Sequence, residues 1–104
     1  MTDLGNQLLA NIFKALAHPT RVQIVKLLKD GPLCVCFILP KIDSEQSNTS
    51  QHLSILRNQG ILDNKKTGSK VIYGIKSPEV LQMIELAEKL ILKQIDETKD
   101  SLRK

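Results

Sequence analysis

Residues 46–62, Gln-Ser-Asn-Thr-Ser-Gln-His-Leu-Ser-Ile-Leu-Arg-Asn-Gln-Gly-Ile-Leu, constrain this chain more than any other segment. Read as a helix and its exit turn, they have two unlike sides. Leu53 and Leu56, followed past the turn by Ile61 and Leu62, are apolar. Gln46, Ser47, Asn48, Thr49, Ser50, Gln51, His52, Ser54 and Arg57 crowd hydrogen-bonding groups around the rest. A solvated helix face usually carries Glu and Lys, which are good helix formers. Ser, Asn and Thr cost helix propensity because they compete for backbone hydrogen bonds. They are useful where side chains must meet base edges and phosphates in a major groove. A polar surface helix with a Ser/Asn-rich cap accounts for the same residues, so the next segment has to decide.

That segment, Asp63 to Ile75, reads as a β-hairpin, with Gly68-Ser69 as the turn between two short runs. Lys65, Lys66 and Lys70 surround its tip. Val71, Tyr73 and Ile75 alternate with Ile72 and Gly74, as expected of a strand with one face on a core. Lysines also keep an edge hairpin soluble, so the hairpin alone proves little. A polar helix followed at once by a basic hairpin is the layout of a winged helix, with the helix in the groove and the wing on phosphates.

With 104 residues the chain suffices for one domain and one modest core, and we read residues 1–104 as a single DNA-binding and dimerisation domain. Fifteen Lys and Arg against 11 acids give a net charge of +4, which permits nucleic-acid binding without demonstrating it. Trp is absent and aromatics are scarce, which argues against single-strand binding by base stacking. No apolar run suggests a membrane span, and the first residues lack the basic region of a signal peptide. A cytoplasmic protein is expected. In that compartment two cysteines are reduced, metal-binding or redox-active more often than a permanent staple.

The rest of the chain reads as helices, about five in all, so the expected fold is mainly α with a β-hairpin wing. Leu8, Leu9, Ile12, Phe13 and Leu16 mark a helix over residues 6–17. Pro19 opens a second helix with His18 near its cap, and Asp30-Gly31-Pro32 ends it. A short third helix is expected from about Phe37 to Ile42, joined to the polar helix by Asp43 to Gln46. A last helix is expected from Pro78 to about Thr98, with Ser77 as N-cap. Its Val80, Ile84, Ala87, Ile91 and Ile95 form one long stripe, widened by Leu81, Leu86, Leu90 and Leu92. So long a stripe needs a partner, and homodimerisation through the first and last helices is expected. A twofold dimer can present two equal helices to an inverted repeat in double-stranded DNA.

Several motifs together resemble the ArsR/SmtB family of winged-helix repressors. Ala15-Leu16-Ala17-His18-Pro19-Thr20-Arg21 resembles its opening signature, and Leu33-Cys34-Val35-Cys36 the thiol motif of its arsenic- and cadmium-sensing members. Ser50-Gln51-His52-Leu53, Leu56 and Gly60-Ile61-Leu62 resemble its recognition helix and exit, and Lys66 through Gly68 to Tyr73 its wing. The resemblance covers nearly the whole chain. It implies a dimeric repressor that leaves its operator when an inducer binds. The chain also departs from the family pattern. A third cysteine that arsenic sensors often carry is Leu39 here, and the acid that commonly follows the second cysteine is Phe37. Cadmium and lead sensors of the family add cysteines on an N-terminal arm, and none stands before Cys34 here; the last helix has no histidine, since His18 and His52 are the only two. A zinc or nickel site of the family's usual type is therefore not expected.

The effector question rests on Cys34 and Cys36. Residues i and i+2 of a regular helix point about 200° apart, whereas in an extended segment they share a face. Pro40 would clash with the carbonyl four residues back, that of Cys36, so the helix should begin at or after about Cys36 and leave Leu33 to Cys36 extended. Both thiols would then lie on one side. Two small buried apolar residues are the plainer alternative. A prepared dithiol suits trivalent arsenic or antimony, another soft ion, or oxidation and persulfide formation. Arsenic prefers three sulfurs, and water or another donor would have to complete the site.

The expected function is thus an operator-binding repressor released by a thiol-reactive effector, arsenite or antimonite first. No cofactor is required. Alternatives are a redox- or sulfur-responsive repressor using the same cysteines, and an effector-independent DNA-binding protein. An enzyme is not expected, because no acid–base constellation surrounds the cysteines. The DNA-binding set expected is Gln46, Ser47, Asn48, Thr49, Ser50, Gln51, His52, Arg57, Lys65, Lys66 and Lys70, with Cys34 and Cys36 as the effector site.

Overall fold

The computed structural model describes residues 1–42 and 46–103, with side chains left out at 46 and 47. Helix α1 (Asp3–Leu16) starts where the Thr2 hydroxyl accepts the Gly5 amide at 3.1 Å. Helix α2 (Pro19–Leu27) starts at His18, whose Nδ1 accepts the Thr20 amide at 3.1 Å. Strand β1 (Leu33–Cys34) runs into α3 (Val35–Lys41), then come α4 (Gln46–Asn58), β2 (Leu62–Thr67), β3 (Lys70–Ile75) and α5 (Glu79–Arg103). Among the described residues, no helix is long and apolar enough to cross a membrane.

The three strands form an antiparallel sheet in the order β1-β3-β2. Strand β3 is therefore hydrogen-bonded on both sides. Leu33 lies opposite Tyr73 and Cys34 opposite Ile72, while the hairpin register runs from Leu62 opposite Ile75 to Thr67 opposite Lys70. The two-residue turn has φ +64° at Gly68 and no positive φ at Ser69, the pattern of a type II′ turn with glycine first.

Helix α4 ends in a tight glycine cap. The Ile61 amide donates to the Leu56 carbonyl and the Gly60 amide to the Arg57 carbonyl, both at 3.0 Å, with Gly60 at φ +75°. This is the Schellman arrangement. It turns the chain so that Ile61 and Leu62 enter the core directly after the helix. Ile24, Val25, Leu28, Ile38, Leu53 and Leu56 fill the rest of that core, with Tyr73 from the sheet and Val80 and Ile84 from α5.

Several helix boundaries differ from expectation, among them the start of α1, which the Thr2 cap places at Asp3 and not at residue 6. Helix α3 begins at Val35, so Cys36 lies in its first turn and is not extended. Pro40 is tolerated because it deletes the single bond to Cys36 near the helix end, where Ile42 is already extended (φ −100°, ψ 122°). Helix α5 starts at Glu79, because the Ser77 hydroxyl donates to the Gly60 carbonyl at 2.8 Å. It runs on to Arg103 because nothing beyond Thr98 breaks it. The connection expected at Asp43 to Gln46 lies largely outside the described residues.

Little of the α1 and α5 surface is covered. Leu8, Leu9, Phe13, Leu86, Leu90 and Ile91 are each exposed, and Phe13 and Ile91 are 55% and 53% exposed. Two apolar grooves of about 600 and 440 Å³ run along this side, with Phe13 and Met83 in both walls.

Candidate nucleic-acid interface and thiol cleft

The helix period of about 100° per residue sorts α4 into faces. Thr49, Leu53 and Leu56 are buried and lie on one stripe at i, i+4 and i+7. The opposite side, centred on Gln51 and Asn58 and flanked by Asn48, Ser50 and Arg57, is exposed. Thr49 was expected among the groups facing DNA; it is 0% exposed and belongs to the core stripe. Its position four residues before Leu53 and seven before Leu56 carried that signal. The side chains of Gln46 and Ser47 lie outside the described residues.

His52 sits at the border of the two faces, half-buried and already engaged. Arg21 Nε donates to His52 Nδ1 at 3.1 Å, and the His52 ring packs on His18 at 4.4 Å between centroids. The same guanidinium donates through Nη1 to the carbonyls of Lys14 at 3.2 Å and Ala15 at 3.4 Å. Arg21 thus ties the end of α1 to α4. Burial, then the positive charges of His18 and Arg21, lower the His52 pKa from 6.5. The neutral ring accepts at Nδ1 and so keeps its proton on Nε2. His52 therefore fixes the roll of α4 and offers at most one donor outward. Sequence reasoning placed it with the free polar residues because an arginine 31 positions earlier leaves no local signal.

On the hairpin, Lys65, Lys66 and Lys70 are all exposed, and none joins an ion pair among the described residues. Lys70 begins β3 at the wing tip, opposite Thr67.

The cysteines come together by a route other than the one expected. Cys34 is the N-cap of α3, with extended backbone (φ −63°, ψ 143°), and its Sγ accepts the Cys36 amide at 3.2 Å. A cap side chain folds back over the first turn, so cap and second helical residue meet although two residues inside a helix would not. The two sulfurs are joined as a disulfide, with Cα atoms 5.1 Å apart. Cys34 is buried beside β3, and Cys36 is exposed. Among the described residues, no group of three or more His, Cys, Asp or Glu gathers in a metal-binding arrangement. Joined to each other, the two sulfurs carry no thiolate, so a thiophilic ion could use them only after reduction.

A cleft of about 460 Å³ connects the cysteines to α4 and the hairpin tip. Cys34 and Cys36 form one wall, Ser50 and Ser54 of α4 another, and Ser69 and Lys70 of the wing tip a third. Leu53, Val71 and Tyr73 are the apolar floor. Ser50 and Lys70, both in the DNA-binding set expected from the sequence, therefore also border the cysteines.

Comparison with known proteins agrees with this architecture. Residues 18–64 match the model of the family described as bacterial regulatory protein, arsR family. The HTH-type transcriptional regulator MJ1325 of Methanocaldococcus jannaschii is 40% identical over 82 residues, which span 78% of this chain and 92% of that protein. A cadmium resistance transcriptional regulatory protein, the CadC homolog of Staphylococcus aureus, is 40% identical over 79 residues, or 75% of this chain and 65% of that protein. The crystal structure of Rv0081 from Mycobacterium tuberculosis superposes with a TM-score of 0.82 at 32% identity, over 93% of this chain and 97% of that one.

Two outcomes follow from α4. Gln51→Ala should weaken binding to a specific DNA site more than to random DNA, by about 1–3 kcal/mol per half-site, as measured by competition titration. Thr49→Val should leave that ratio unchanged, and an equal loss on both DNAs for Gln51→Ala would take it off the bases. Separately, the lowered His52 pKa means the unfolded chain binds the proton more tightly. The contribution of His52 to stability is then complete above 6.5 and is lost as pH falls through the lower folded value. The urea midpoint should drop between about pH 7.5 and pH 5.5, and should drop less in His52→Gln; identical drops would contradict the assignment.

Proposed function

The chain belongs to the ArsR family of bacterial regulatory proteins, and on that premise we propose that it is a dimeric operator-binding repressor released by a thiol-reactive effector at Cys34 and Cys36. The cleft carries this reading. Cys34 and Cys36 share its walls with Ser50 and Ser54 of α4 and with Lys70 of the wing. Whatever alters the sulfurs alters the start of α3, because the Cys34 sulfur is its cap. That change reaches both DNA-reading elements without crossing the domain. Asn48, Ser50, Gln51 and Arg57 would face the groove, and Lys65, Lys66 and Lys70 the phosphates.

The first form of the effector is arsenite or antimonite. Once reduced, two sulfurs this close suit a trivalent thiophilic ion whose third donor is water, and similarity to a cadmium resistance regulator agrees with soft-ion chemistry. The second form is oxidation, favoured by one observation: the sulfurs are close enough to be joined. Both forms need both cysteines. Allosteric coupling is typically about 1–3 kcal/mol, or roughly 5–150-fold in affinity.

Dimerisation is supported by the uncovered apolar side of α1 and α5. A second copy placed there by a twofold axis would bury Phe13, Leu90 and Ile91 and set two α4 helices toward an inverted repeat.

Cys34→Ser and Cys36→Ser should each keep operator affinity and each lose its response to arsenite and to oxidant, measured by fluorescence anisotropy on operator DNA. Normal release in either single variant would refute the two-thiol switch. Ile91→Glu should give a folded monomer, because this residue is 53% exposed in the subunit but would meet its copy across the seam without a counter-charge. Light scattering reads the outcome, and a dimer of unchanged strength would place the interface elsewhere.

A further inference from the structure

We propose that the cleft beside the cysteines is a docking site for small disulfides of anionic thiols, with Lys70 as the residue that selects their charge. The inference rests on the thiol-switch reading in its oxidative form and adds the class of oxidant. The cleft holds about 460 Å³, far more than a bare ion or a peroxide needs. Ser50, Ser54 and Ser69 give it hydroxyls that can hydrogen-bond carboxylate or amide groups, and Lys70 gives it a cation. No Asp or Glu is among its lining residues described, so the cation is not offset within the walls. Both cysteines line this cleft, but Cys36 is an exposed residue and Cys34 a buried one.

That asymmetry assigns the order of steps in the reduced protein. The Cys36 thiolate attacks one sulfur of the incoming disulfide, a Cys36–sulfur bond forms, the incoming sulfur–sulfur bond breaks, and one thiolate leaves. The Cys34 thiolate then attacks the Cys36 sulfur, forms the Cys34–Cys36 bond and releases the second thiolate. The two cysteines lose two electrons and two protons, and the incoming disulfide is reduced to two thiols. The joined pair in the structure is the end state of this sequence. Carboxylates on the reagent would lie against Lys70 and the three serines during the first step. Lys70 thus has a role beyond phosphate contact.

The test uses the reduced full chain carrying Cys34→Ser, so that the mixed disulfide at Cys36 accumulates and intact mass spectrometry gives its rate. Oxidised glutathione serves as the anionic probe and 2-hydroxyethyl disulfide as the neutral one. Lys70→Ala should slow the glutathione reaction about three- to fivefold, the size expected of one partly screened charge, and leave the neutral reaction within about twofold. Lys70→Glu should slow the glutathione reaction further. Equal effects on the two probes, or no effect on either, would overturn the proposal. Operator affinity of the oxidised protein with both cysteines present is read separately. Charge selection with unchanged operator affinity would keep the docking site and remove the repressor switch. Operator release without charge selection would keep the switch and remove the docking site.

Discussion

The architecture depends on β3 being paired along both edges. Cys34 lies opposite Ile72 on one side, and Lys65 lies opposite the same Ile72 on the other. One residue of one strand therefore stands between the thiol pair and the wing. Strand pairing holds neighbouring backbones about 5 Å apart, so the cysteines and the wing lysines cannot move independently over larger distances. Helix α3 starts directly from this strand with the Cys34 sulfur as its cap, which is why the proposed switch would act on the helix start.

The roll of α4 is set by a second constraint. Thr49, Leu53 and Leu56 bury one stripe, and the Arg21–His52 contact fixes the edge next to it. What remains outward is Gln51 with Asn48, Ser50 and Arg57 around it. Ser50 and Ser54 lie on the side turned to the thiol cleft. The face that would read bases and the face that would sense the cysteines are thus adjacent on one rigid helix. Small movements of such packed elements pass between discrete arrangements and are not absorbed by soft deformation.

Much of this was legible in the residues because it rests on local rules. Pro19 behind His18, Gly60 at the exit of α4 and Gly68-Ser69 at the hairpin tip are positions where backbone chemistry leaves few choices. The approach of Cys34 and Cys36 to each other was expected for a partly wrong reason, and their joining was not expected. An extended segment was invoked, but a cysteine cap over the first turn brings the sulfurs together while Cys36 is helical. Thr49 was misassigned because a hydroxyl weighed more than its place on the 3.6-residue repeat. The Arg21–His52 bond and the pairing of β1 with β3 join segments 31 and about 40 residues apart, and no local pattern announces them. The cleft inherits that difficulty, since its walls come from three separate stretches of chain.

As proposed, the thiol pair and the DNA-reading surface form one coupled unit. Reciprocity makes this measurable from the thiol side: if joining the sulfurs weakens operator binding by some factor, operator DNA must shift the dithiol–disulfide equilibrium toward the dithiol by the same factor. The ratio of the two forms can be quantified by alkylation and mass spectrometry across a series of thiol–disulfide buffers, with saturating operator DNA and with none. Operator should shift the midpoint toward the dithiol, and the shift compounded over the two pairs of the dimer should equal the independently measured loss of affinity, within roughly 5–150-fold. A midpoint that operator DNA leaves in place, at saturation, would contradict it.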